Sequence, residues 1–197
     1  MNYQSHKILG CPCIAMHENE AAAKIISLLR EKKAGYTVAI NAEKIQRFST
    51  DPILRNVILN SILPYPDGAG AVLGLKWLFG VASEKINMPI AALAAADNAR
   101  LRVFIIGAQE ISHKVAVERI KQDYPNIHLV GTLHGFHSQE LMISQVLLSR
   151  PQMVLIAMGS PKQELFAAEL MAQAKFGVAI GCGGALDILS GSLKRAP

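Results

Sequence analysis

"VLIAMGSPKQELFAAELMAQAKFGVAIGCGG", residues Val154–Gly184, decides the fold. It opens with an apolar run that stops at Gly159, spaces apolar residues every three or four positions over 162–174, and closes on a second apolar run ending in glycines. Continuous apolar runs of this length suit parallel strands buried on both faces. The segment between them suits a helix with one apolar side. Parallel strands need such a crossover, so this one unit predicts a layered α/β domain.

Working outward, the same alternation recurs. Strand-like runs fall at 36–41, 101–107, 127–132, 152–159 and 176–184, and helical spacing falls at 18–32, 51–62, 109–123, 138–149 and 162–174. The expected architecture is a Rossmann-like α/β fold: an open, mainly parallel sheet with helices on both faces, in three layers. With 197 residues and 51% hydrophobic content the chain can bury a sizeable core, and its 6% aromatic content disfavours an all-β sandwich. No repeat or Ser/Gly linker interrupts it, so residues 1–197 read as one domain.

Charge and cysteine usage exclude several classes. The net charge of +5 carries no block of like charges, so no nucleic-acid partner is expected. It fits an anionic ligand or membrane surface, and solubility alone would explain it too. Cys11, Cys13 and Cys182 lack disulfide or metal-ligand spacing and read as buried, reduced thiols. "MNYQSHKILG" lacks the apolar core of a signal peptide, and no apolar run reaches about 18 residues. A soluble or peripheral, cytoplasmic protein is the expectation.

In open α/β sheets ligands bind beyond the carboxyl ends of the strands. The residues to read are therefore "NAEK" (41–44), "PDGAG" (66–70), "GAQE" (107–110), "GTLHGFH" (131–137), "GSPKQE" (159–164) and "GCGGALD" (181–187). Glycines such as Gly68, Gly107, Gly159, Gly183 and Gly184 let a phosphate or sugar approach the backbone, and the helices that follow offer unpaired N–H groups. "GCGGAL" lacks the third glycine of a dinucleotide fingerprint, and too little chain follows it for the remaining strand and acidic residue. "GSPKQE" is not a P-loop. The five aspartates, at 51, 67, 97, 123 and 187, never form the D-x-D pair of a metal-dependent sugar-nucleotide transferase. A glycosyltransferase built from this chain would neutralise a diphosphate with helix N-termini and basic side chains, without metal or other cofactor.

"VAINAEK" (38–44), "PDGAG", "VFIIGA" (103–108), "VLIAMGSPKQE" (154–164) and "GCGGALDILSGSLKRAP" (181–197) resemble, in that order, the motifs of the WecG/TagA/CpsF glycosyltransferase family. "NAEK" is more similar to its UDP-N-acetylmannosaminuronate branch than to its N-acetylmannosamine branch. The resemblance implies an inverting, metal-independent transfer of an N-acetylmannosamine-type sugar from UDP to a polyprenyl-diphosphate-linked N-acetylglucosamine. Such transfers serve cell-surface polysaccharides of the enterobacterial-common-antigen or teichoic-acid kind. The resemblance also makes Asp67 the base and places Asn41 and Gln163 in the sugar-nucleotide pocket. It further implies a basic and apolar stretch beyond "KRAP" that reaches the inner face of the cell membrane, so the chain is expected to be a trimmed form. At "SEKINMPIA" (83–91) the pattern departs: Lys85 can stand for the family's basic residue, but the aspartate that follows it there is missing.

Each residue also has a plainer reading. Asp67, between Pro66 and Gly68, could simply cap a helix starting near Ala69, whereas as a base its ordinary pKa near 4 keeps it ionised at pH 7. Asn41 could cap the helix from Ala42 while still facing a ligand. Gln163, one turn into its helix, is expected exposed and facing the site mouth, with Ser160 as the helix cap, Pro161 in its first turn and Lys162 offering charge. Asp187 suits a helix N-terminus and would face a donor hydroxyl or a basic neighbour. Lys194 and Arg195 would steer an anionic acceptor or lie solvated. His134 and His137 lack a third metal ligand and read as surface residues. "AVLGLKWLFG" (71–80), apolar nearly all round, reads as a buried helix, with a polyprenyl groove as the alternative. A non-catalytic nucleotide-sugar-binding or assembly subunit remains a competing reading, an NAD-dependent oxidoreductase a more distant one, and homo-oligomers stay open.

Overall fold

A computed structural model describes residues 4–193. Arg195 and Lys194 therefore lie outside the described residues. The chain begins with a hairpin of β1 (Ser5–Ile8) and β2 (Cys11–Ile14), followed by α1 (Glu18–Arg30), β3 (Gly35–Ile40), α2 (Ala42–Arg47), α3 (Pro52–Leu59) and β4 (Leu63–Pro66). It continues through α4 (Ala69–Phe79), α5 (Met88–Asn98), β5 (Arg102–Gly107), α6 (Glu110–Asp123), β6 (His128–Leu133) and α7 (Gln139–Ser149). It closes with β7 (Met153–Ala157), α8 (Lys162–Ala174), β8 (Val178–Gly181) and α9 (Ala185–Leu189). The main sheet is parallel with strand order β4-β3-β8-β7-β5-β6, while β1 and β2 pair antiparallel outside it.

The two-residue period of the central strands feeds both layers. Val38, Ile40, Phe104, Ile106, Val154, Ile156 and Ala179 face one apolar cluster with α3, α7, α8 and the hairpin. Val103, Ile105, Met153, Leu155, Val178 and Ile180 face the other with α1, α5 and α6. Helices on both faces explain why these strands read as unbroken apolar runs. Each fully buried Ile or Leu contributes about 1.5–3 kcal/mol.

Three strands, one helix and one helix face depart from the sequence expectation. β4 carries Pro64 and Pro66, which weaken a strand signal; it sits at the sheet edge and pairs only with β3, where missing N–H groups cost little. Both strands of the hairpin and the helix α5 were likewise unmarked in the sequence. α4 is not a buried helix. Only Ala71 and Leu75 are buried, while Trp77 is 76% and Leu78 55% exposed. The reason is position: α4 packs at the rim against β1, where a Cβ on Gly74 would meet Ile8 at 2.9 Å.

The chain runs outward from β3 to β4, crosses to β5 and β6, and returns through β7 to β8 beside β3. The exits of β3, β8 and β7 are thus neighbours although their connections lead to different layers. A crevice opens at such a switch.

Candidate functional site

Two cavities occupy that crevice. The first, about 310 Å³, is lined by Asn41, Lys44, Asp67, Lys85, Gln163 and Gly183, with Tyr65, Ser160 and Cys182 also on its wall. The second, about 420 Å³, is lined by Gln109, Phe136, Gly159, Lys162, Gly184 and Asp187. Gly183 and Gly184 belong to both, so the β8 exit is a shared wall.

The first cavity is built from bonded side chains. Asn41 follows β3 and caps α2, its Oδ1 accepting the Lys44 backbone N–H at 2.9 Å while the residue still lines the cavity. Asp67 follows β4, where its N–H donates to the Ile40 carbonyl at 2.8 Å. The plain capping role passes to Gly68, the N-cap of α4 at φ +106°. Gly68 itself lines neither cavity. Tyr65 lies beneath; burial first, then the Asp67 charge, push its phenol well above the usual range, so it stays a neutral donor.

Gln163 is not exposed, contrary to its expected place at a solvated helix start. It is buried, and its Oε1 accepts the Gly183 N–H at 2.8 Å. The inner side of α8's first turn faces the β8 exit, where Gly181 leaves room: a Cβ there would lie 2.8 Å from Gln163 Nε2. Ser160 does not cap α8. Pro161 occupies the N-cap without a side-chain cap bond, and the Gln163 N–H donates to the Gly159 carbonyl at 2.9 Å.

Beside these lies a feature the sequence reading missed. Lys44 Nζ and Glu164 Oε1 pair at 3.0 Å, with side chains only 5% and 3% exposed. Both residues sat inside quoted motifs, "NAEK" and "PKQE", but nothing in either marked the other as partner. Burying both charges is costly, and removing one alone costs about 3–5 kcal/mol.

The second cavity is rich in glycine. Gly135, Gly159, Gly183 and Gly184 contribute to its walls, with exposed Lys162 at its edge and Phe136 74% exposed. Asp187 lies in the first turn of α9. Gly107 lines neither cavity. Its need for glycine is structural, since φ is +124° and a Cβ would fall 2.1 Å from the Ala157 carbonyl oxygen. That carbonyl region also fixes His113, another residue the sequence did not mark: its Nδ1 bonds the Gly107 oxygen at 2.8 Å, and burial holds the imidazole below its usual range.

His134 and His137 stack at 4.0 Å, and among the described residues no group of three or more His, Cys, Asp or Glu is placed to hold a metal. Lys85 lines the first cavity on the segment whose sequence departs from the family pattern, and the Ile86 N–H anchors that segment to the Pro66 carbonyl at 3.0 Å. The three cysteines are free and buried; burial pushes Cys11 up to about 11 and Cys13 and Cys182 up to about 12. Among the described residues no helix is long and apolar enough to cross a membrane.

Comparison with known proteins converges on one group. The model of the "Glycosyl transferase WecG/TagA/CpsF family" matches residues 6–197. A protein of Bacillus spizizenii named N-acetylglucosaminyldiphosphoundecaprenol N-acetyl-beta-D-mannosaminyltransferase is 31% identical over 173 residues, covering 86% of this chain and 67% of its own length. A protein of the same name from Bacillus subtilis is 31% identical over 150 residues, covering 72% of this chain and 57% of its own. The chain thus spans roughly three fifths to two thirds of those relatives.

Proposed function

The chain belongs to the WecG/TagA/CpsF glycosyltransferase family, and from that we propose that it moves an N-acetylmannosamine-type sugar from UDP to N-acetylglucosamine on a polyprenyl diphosphate. The observation that carries this reading is the pair of adjoining cavities at the strand exits, one with tied, buried polar side chains and one lined by glycines, Phe136 and Lys162. In this reading the second cavity takes the nucleoside diphosphate: Phe136 offers a face to the base, Asp187 accepts from a ribose hydroxyl, and Lys162 with backbone N–H groups of the β7 exit meets the phosphates. The sugar then extends past Gly183 and Gly184 into the first cavity, within reach of Asn41, Lys85 and Gln163.

Asp67 would act as base. As the acceptor hydroxyl attacks the anomeric carbon from the face opposite UDP, its proton passes to the Asp67 carboxylate and the C1–O bond to UDP breaks, inverting the centre. Charge building on UDP is met by Lys162 and the N–H groups, so no metal is required in this mechanism. The lipid acceptor implies work at the inner membrane surface as a peripheral protein.

Thermal unfolding with UDP, UDP-N-acetylmannosamine, its uronate and NAD, each with and without EDTA, tests the reading. A ligand at 100 times its dissociation constant should add about 2.7 kcal/mol. Stabilisation by the UDP ligands that survives EDTA is expected, and the larger sugar shift identifies the branch. A response to NAD alone, or none to UDP, overturns it.

A further inference from the structure

A buried ion pair is an expensive way to fill a core. Replacing both charges with apolar groups of similar volume is commonly neutral or stabilising, so the pair at the floor of the first cavity calls for another reason. Lys44 and Glu164 come from motifs 120 residues apart and meet at the exits of β3 and β7. We propose that they are positioning residues whose ion pair fixes the carboxamide of Gln163, and through it the Gly183 wall against which the sugar lies. This rests on the transfer reading above.

The hydrogen bonds give the direction of that amide. The backbone N–H of Lys44 donates to Asn41 Oδ1 as the N-cap bond of α2, so Asn41 is held by the helix start and the ion pair acts on Gln163. Glu164 Oε1 accepts from Lys44 Nζ at 3.0 Å and from Gln163 Nε2 at 3.4 Å. A carboxylate accepts only, so it draws the amino side of Gln163 toward itself and turns the carbonyl side to the Gly183 N–H. The other Glu164 oxygen, Oε2, has no hydrogen-bond partner among the described residues, which leaves Lys44 as the cation that compensates this carboxylate. Gly181 supplies the space in which the Gln163 amide lies. One connected chain, Lys44 to Glu164 to Gln163 to Gly183, therefore sets the wall shared by the two cavities.

The test is the double variant Lys44→Met/Glu164→Leu of this chain, read by hydrogen exchange at the Gly183 amide and by calorimetry with UDP and with UDP-N-acetylmannosamine. The variant should unfold at the parent's temperature or above. Exchange at Gly183 should accelerate about tenfold, and the extra affinity of the UDP-sugar over UDP should fall about tenfold while UDP itself binds as before. Unchanged exchange overturns the proposal and leaves the pair a clamp between α2 and α8. Faster exchange with unchanged sugar affinity overturns it as well. If the double variant does not fold, Glu164→Gln, which keeps the shape and removes the charge, is held to the same two readouts. A parent that binds no UDP sinks the transfer reading instead, and exchange at Gly183 then decides the positioning claim alone.

Discussion

The two cavities hold their ligand-facing groups in opposite ways. In the first, Asn41, Lys44 and Gln163 are each tied to a second residue, and Lys44 and Gln163 are buried. In the second, four glycines contribute to the walls, and Phe136 and Lys162 stand exposed. Proton transfer needs groups fixed to fractions of an ångström, and bonds that exclude water supply that fixity. A nucleotide can be gripped by backbone N–H groups and one aromatic face that adjust on binding. Under the transfer proposed above, the rigid end suits the reacting sugar and the adaptable end the leaving group.

The sharpest way to break the comparison is Asp67→Asn. Loss of the base should lower the rate of transfer to the lipid-linked acceptor by about 10²–10⁴-fold. UDP affinity, measured by calorimetry, should stay within about twofold because the substitution lies at the other end of the cleft. A parallel fall in both would mean that the two ends do not divide the work. The converse substitution, Phe136→Ala, should weaken UDP binding by about tenfold or more, in line with the roughly 1–3 kcal/mol that stacking a base on an aromatic ring contributes. The turnover rate at saturating donor should not move. Retained UDP affinity would remove Phe136 from the nucleotide's surroundings.

The rigid end was also the harder one to read from sequence, for a physical reason. Strands buried on both faces announce themselves as apolar runs, so the alternation from β3 to β8, and with it the glycine-rich exits, was visible. Those exits contribute to the adaptable cavity, whose lining includes Gly159, Lys162, Gly183, Gly184 and Asp187. The rigid cavity depends on contacts between distant segments. Asn41 and Asp67 reached it, but the Lys44–Glu164 pair and the burial of Gln163 arise only when α8 packs beside the β3 and β8 exits. Local pattern does not encode such a meeting. β4 was hidden for a different reason, since Pro64 and Pro66 are tolerated only because the strand is an edge.

α4 supplies the smallest expected effect and a control on the comparison. It leaves directly from Gly68, one residue beyond Asp67, yet its outer face carries Trp77 and Leu78 largely in solvent. The stripe of Ala71 and Leu75 packs inward, and no residue of the helix lines the first cavity. Trp77→Ser should therefore shift the free energy of unfolding in denaturant by no more than about 0.5 kcal/mol. A tryptophan packed in the core would cost about 3–5 kcal/mol on truncation to alanine. Dissociation constants for UDP and the UDP-sugar should match the parent's. A loss of sugar affinity without loss of stability would show that the fixity of the first cavity extends along α4 to its far end. The boundary between the rigid cavity and its surroundings would then lie at Phe79 instead of at Gly68.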